Sequence, residues 1–281
     1  MKKVISLFLS VVTLSVGLLG CGNSAETSDK KETSNKEIRF EVAPGPYGDL
    51  VKLAIKPELE KKGYTVKLTE FSDYIQPNNA LANNEIDVNV FQHQVYLESF
   101  SKQNKLDLVS IINIPTASMG IFSNKYKNID ELKDGDTVSL PNDVPNLARA
   151  LRFLQQIKVI TLKEDVDLTK VSEKDIASNP KNLKFIPVEA AQLPRTLDSS
   201  SIAIITGNYA ISSGLSLSDA ISKEKLTEEY KNVIAIRTSD KDSEFAKDIK
   251  EIVESEEFRE VVLDEKNIFK DFDFPEWFSG K

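Results

Sequence analysis

From residue 38 almost to the end of the chain, runs of alternating or wholly apolar residues take turns with stretches of helical spacing. This restricts the fold to the α/β class. Residues 38–42 read as a short strand running into the turn Pro44-Gly45-Pro46-Tyr47. A helix follows, with Leu50, Leu53, Ala54 and Leu59 on one face and Gly63 closing it. Residues 64–71 alternate as the next strand. A helix over 77–84 leads to a strand at 86–90, then to Phe91-Gln92-His93 and a helix through Tyr96 and Phe100. Strands are predicted at 106–114 and 119–123, separated by Pro115. The second region repeats the plan: strand 137–140, loop 141–146, helix 147–157, strand 183–187, short helix 190–198 and strand 202–206. Gly207-Asn208-Tyr209 and another helix follow, then a strand at 233–236 and amphipathic helices over 244–255 and 257–263.

Set side by side, the strand–turn–helix at Phe40 matches that at Val138, and residues 84–88 before Phe91 match 200–204 before Asn208. Residue identity between the halves is negligible, so the match is one of pattern. Two similar lobes, with loops at the carboxyl ends of parallel strands, place a ligand in the crevice between them. The expected division is 38–114 with 236–281 for lobe I and 115–235 for lobe II, with crossings near Ile114 and near Ala235.

Residues 1–20 carry Lys2 and Lys3, then an uncharged apolar stretch ending in Leu18-Leu19-Gly20, the layout of an export signal. Cys21, the only cysteine, comes next and resembles the modified cysteine of a bacterial lipobox. That resemblance implies cleavage before Cys21 and a diacylglycerol on its sulfur, and two acyl chains hold a protein stably on a membrane. The alternative is a transmembrane anchor, for which residues 4–20 sit at the lower length limit of about 17 residues. Residues 21–37 read as a flexible tether, because 22–37 has no aliphatic side chain larger than alanine and cannot offset the entropy of ordering.

Loss of the signal removes Lys2 and Lys3 and no acid, so the net charge of −8 becomes −10. An acidic body with no basic stripe argues against nucleic acid as a partner. With Cys21 lipidated no thiol remains for a disulfide, a zinc site or a nucleophile, and His93, the only histidine, has no partner for a metal. There is no Gly-rich phosphate loop, nucleophile elbow or Asp-x-Asp calcium loop, so no catalytic constellation or cofactor site is expected.

Tyr74, Phe91 and Tyr96 gather near His93 on loops after lobe I strands, where a pocket would open; Gln92-His93 is either a ligand contact or a structural pair. Arg149 follows a strand–loop junction near a helix start, where unpaired N–H groups favour anions. Its planar guanidinium can grip a carboxylate with two parallel bonds, or it is a surface cation. Asn146 can add an amide contact, and Asn208 can bond a polar head group or fix its own turn.

Several motifs carry a family resemblance: Pro44-Gly45-Pro46, Asp73-Tyr74-Ile75-Gln76-Pro77-Asn78, Asp87-Val88-Asn89-Val90-Phe91-Gln92-His93, Pro141-Asn142-Asp143 with Asn146 and Arg149, and Gly207-Asn208-Tyr209-Ala210. Together they resemble the NlpA-type methionine-binding lipoproteins, the substrate-binding proteins of ATP-binding-cassette importers. The resemblance implies a two-lobe periplasmic-binding-protein-like fold of type II with a two-stranded hinge, closing around L-methionine on the outer face of the cell membrane. A permease and its ATPase would be the protein partners. It further implies that Arg149 pairs with the substrate carboxylate, Asn146 and Asn208 hold the amino-acid head, and Tyr74, Phe91, His93 and Tyr96 wall the thioether. One departure is Val144-Pro145 where the family usually has Pro-Thr, and a proline there restricts its neighbours. A receptor for a dipeptide or another amino acid is the alternative within the class, and a surface adhesin or scaffold with a vestigial cleft the alternative outside it.

Overall fold

The computed structural model describes residues 36–279; Cys21, the export segment and most of the expected tether lie outside the described residues. Strand β1 (Lys36–Val42) begins inside that tether, because Lys36 and Glu37 pair in parallel register with Tyr64 and Thr65 of β2 (Tyr64–Glu70). Between them α1 (Pro46–Leu50), a π-helical turn (Val51–Ile55) and α2 (Lys56–Lys61) run on as one helix. The wider turn shifts the inner face by one position. Ile55 is buried with Leu50, Val51, Ala54 and Leu59, while Leu53, expected inside, is 49% exposed.

Next come α3 (Gln76–Ala82), β3 (Val88–Val90), α4 (Gln94–Asn104) and β4 (Leu108–Asn113). The chain crosses through residues 114–119 into β5 (Gly120–Phe122), β6 (Thr137–Pro141) and α5 (Val144–Gln156). A small antiparallel pair, β7 (Thr161–Leu162) and β8 (Ile176–Ser178), precedes β9 (Lys184–Val188). After it come a 3₁₀ helix over Ala190–Asp198, β10 (Ile202–Ile205), α6 (Gly207–Ser212) and β11 (Ser222–Lys223). The chain returns through 224–232 to β12 (Val233–Arg237) and ends in α7 (Glu244–Val253), α8 (Glu256–Leu263) and α9 (Glu276–Ser279).

The first sheet has the order β2-β1-β3-β12-β4 and the second, read from its far edge, β9-β6-β10-β5-β11. In both, three parallel strands are followed by one that runs antiparallel to its neighbours: β12 in the first, β5 in the second. The strand correspondence expected from the pattern is therefore present, Phe40 with Val138 and β3 with β10. Each antiparallel strand is supplied by chain arriving from the other half.

Val233 already pairs with Asn113 in the first sheet, so the return crossing lies before that residue and not near Ala235. The crossings are bonded to one another: Ile114 N donates to Asn232 O (2.8 Å), Asn232 N to Thr116 Oγ1 (2.7 Å) and Glu224 N to Met119 O (3.0 Å).

Apolar burial follows the sheets. Phe40, Val88, Val90, Ile234 and Ile236 pack with Leu50, Ile55, Ile249, Val253 and Phe258 in a core that continues into Ile205 and Tyr209 of the second half. Val138, Leu140, Ile202 and Ile204 meet Leu151 and Leu154 of α5 in another. Helix α5 starts at Val144, earlier than expected, because the Asp143 carboxylate accepts from Asn146 N and caps the first turn. Pro145 falls in that turn, where no backbone donor is needed, so it does not disrupt the loop.

Candidate ligand-binding site

Segments leaving the carboxyl ends of β1, β3, β6 and β10 converge, as expected for ligand sites of α/β sheets. They line a small cavity. Its walls include every binding residue expected from the sequence: Tyr74, Phe91, His93, Tyr96, Asn146, Arg149 and Asn208.

His93 is the N-cap of α4, and its Nδ1 accepts from Tyr96 N at 3.1 Å. The ring proton therefore sits on Nε2, which donates to Asn146 Oδ1 at 3.2 Å. Asn146 Nδ2 donates onward to Asp143 Oδ1 at 3.0 Å. The result is a one-way chain of hydrogen bonds between the starts of α4 and α5, joining the halves. Burial, then the charge of Arg149, holds the His93 pKa well below its ordinary value, which keeps the ring in the neutral form this chain requires. Loss of hydration lifts the Asp143 carboxyl to about 6 against the opposing pull of the Asn146 amides.

The aromatic wall is built around Tyr74. Its ring lies 5.6 Å from Phe91 in a stacked arrangement and 5.9 Å from Tyr96 edge-on. Tyr96 Oη donates to Tyr74 O at 2.8 Å. From the first half Tyr74 Oη donates to Asn208 Oδ1 (2.6 Å), and Asn208 Nδ2 reaches Pro44 O at 3.4 Å. The Asn208 amide thus ties the lobes together. Behind the wall, Asn78, Asn89 and Gln92 exchange amide hydrogen bonds of 2.6–3.0 Å while fully buried, which fixes the backbone that presents Phe91 and His93.

Arg149 departs most from expectation. It is no surface cation, since its side chain is 5% exposed, but neither is it alone. Arg149 Nε donates to Glu224 Oε1 (2.8 Å) and Nη2 to Glu224 Oε2 (2.7 Å), with Glu224 7% exposed. A guanidinium this deep needs a counter-charge, and the sequence spacing gave no sign of one 75 residues away. A guanidinium has two forked edges. Glu224 occupies the side edge, and among the described residues no hydrogen bond is recorded for Nη1 on the end edge.

The wall also holds Tyr47, Ala117, Thr206, Gly207 and Asn232, which sequence reasoning missed, and Gln92, which it left open between a ligand contact and a structural partner. Tyr47 and Gln92 lie inside motifs that were already singled out. Asn232 had no signal beyond its place just before a strand; its Nδ2 donates to Phe91 O at 2.9 Å, and among the described residues no hydrogen bond is recorded for its Oδ1. Among the described residues, no group of His, Cys, Asp and Glu side chains could hold a metal ion.

Two matched lobes joined by two connections, with a small polar and aromatic cavity between their strand ends, define a binding protein of the periplasmic-binding-protein type. The chain belongs to the NlpA lipoprotein family, whose model matches residues 38–277. It is 39% identical over 250 residues to the D-methionine-binding lipoprotein MetQ of Salmonella typhi, covering 88% of this chain and 89% of the relative. It is 38% identical over 250 residues to the protein of the same name from Escherichia coli (strain K12), with the same coverage. Among solved structures, a nutrient binding protein from Burkholderia cenocepacia bound to methionine superposes with a TM-score of 0.79 at 38% identity, covering 84% of this chain and 100% of that one. A crystal structure of the methionine binding protein MetQ gives 0.76 at 37% identity, covering 81% and 94%.

Proposed function

We propose that the chain is a lipid-anchored substrate-binding protein that closes its lobes on L-methionine and delivers it to a membrane permease driven by an ATPase. The observation that carries this reading is the cavity itself, whose polar groups come from both lobes and whose greasy wall is aromatic. The ligand carboxylate takes the end edge of Arg149, and the ammonium takes Asn232 Oδ1. The thioether lies among Tyr74, Phe91 and Tyr96, where a polarizable sulfur suits ring edges. A ligand bonded to both lobes gains contacts only when they are together, so binding favours closure.

Relatives of similar length are named for D-methionine and one solved structure is bound to methionine, which supports methionine as the ligand; the L form rests on the family resemblance alone. Cys21 supplies the anchor and residues 22–35 the tether on the outer face of the membrane; among the described residues no helix is long and apolar enough to cross it.

The test is calorimetric titration of denatured, ligand-stripped and refolded protein with L-methionine, D-methionine, other amino acids and methionyl dipeptides. Saturable one-to-one binding, tightest for L-methionine, is the expected result. A dipeptide or another amino acid binding tighter, or no binding across the panel, overturns the reading.

A further inference from the structure

Among the cavity-lining residues Arg149 alone carries a formal charge, because His93 is held neutral. Its partner Glu224 does not line that cavity and is not free to swing. Oε2 of Glu224 accepts from Met119 N at 3.0 Å, and the backbone N–H of Glu224 donates back to Met119 O at 3.0 Å. Met119 ends one crossing between the lobes and Glu224 begins the other. The carboxylate is thus fixed by both hinge segments and lies against the side edge of the guanidinium. Two other acids lie near: Asp143 is turned toward Asn146 at the start of α5, and Asp273, whose carboxyl is lifted by burial and then by the charge of Glu224, also feels Arg149.

From this geometry we infer that Glu224 determines the charge of the ligand the cleft accepts: it cancels Arg149 and aims its end edge inward, so the site favours a net-neutral zwitterion over an anion. The inference rests on the assignment of Arg149 to the ligand carboxylate. A bare buried arginine would attract any carboxylate. The compensated one offers geometry without a net field, and the ligand then has to bring its own ammonium.

Three probes that share one thioether tail and differ in charge test this: L-methionine (neutral), 4-(methylthio)butanoate (negative) and L-methionine amide (positive). Affinities are measured by calorimetry for the wild type, Glu224→Gln, Glu224→Ala and Arg149→Gln. In the wild type methionine binds tightest. Glu224→Gln leaves the cleft positive and shifts the affinity ratio of acid to amide toward the acid by about tenfold or more. Glu224→Ala, which also removes the charge, should shift the ratio the same way and reads the inference if Glu224→Gln does not fold; Arg149→Gln shifts it toward the amide whatever Glu224 does and reports only the carboxylate assignment. A purely structural role weakens all three probes together, and ratios within about twofold of wild type in the folded Glu224 variants overturn the inference while leaving the methionine reading intact. A wild type that binds no methionine overturns that reading first, and the charge assignment with it.

Discussion

Replacing Gly45 by alanine should separate the stability of the ligand-free chain from its ability to close. Gly45 stands before α1 with φ 103° and ψ −147°, a region that residues with a Cβ enter at about 1–3 kcal/mol. This penalty applies whether the lobes are apart or together. It lowers the melting temperature of the ligand-free chain by about 2–4 °C per kcal/mol in a body of this size. A second penalty exists only in the closed arrangement. A Cβ on Gly45 would lie 2.6 Å from Asn208 O, where ordinary contact begins near 3.4 Å, so the backbone of one lobe has to retreat by the difference, about 0.8 Å. Overfilling of this kind costs about 1–3 kcal/mol, which corresponds to a rise in Kd for methionine of about 5- to 150-fold. Scanning calorimetry without ligand reads the first term, and isothermal titration reads the second. An unchanged Kd beside a lowered melting temperature would refute the view that Gly45 and Asn208 meet in the ligand-bound form.

The pH dependence of stability offers another test. The His93 pKa is held well below 6.5, so the unfolded chain takes up a proton that the folded chain refuses, and stability complete above about pH 6.5 is lost as pH falls. Asp143, lifted to about 6, acts in the opposite sense: the folded chain keeps a proton the unfolded one has released, so its contribution declines as pH rises from about 4 to about 6. In denaturant melts at about pH 5 and about pH 7.5, His93→Gln should lose less stability on acidification than the wild type; equal losses contradict the assignment. Cys21→Ser should move the protein from the membrane fraction of expressing cells to the soluble fraction, and retention in the membrane fraction would argue for an anchor other than lipid.

Much of the fold was written in local pattern. Strand–turn–helix units at Phe40 and Val138 are legible because each has an apolar period and a turn, and those signals act within a few residues. The sheet order was not legible, because the insertion of β12 between β3 and β4 is a tertiary choice that no local period encodes. Leu53 was misplaced because a π turn adds a residue that a regular helical period does not anticipate. The start of α5 was set late because residues 141–146 were read as loop, although a proline in a first turn after a capping aspartate is compatible with helix. At the site, residues within motifs were found, and Glu224 was not. Its reason for being there is the charge of Arg149, and pairing across 75 residues is visible only once the chain is folded.

The exchange of inner strands has a further consequence for how the molecule is made. Strand β4 is finished at Asn113, yet the neighbour it needs, β12, begins only at Val233. While residues 114–232 are being synthesised, the first sheet has a vacant slot and β4 keeps an unpaired edge. The second half can assemble its own five strands in that interval, since β5 through β11 are contiguous in the chain. Assembly by this route is therefore nested, with the later-made body completed inside the earlier one, and the contacts that close the first sheet span more than a hundred residues, which slows folding. Closure of the first body therefore waits on the last strand of the chain to emerge, while the second body needs nothing made after β11.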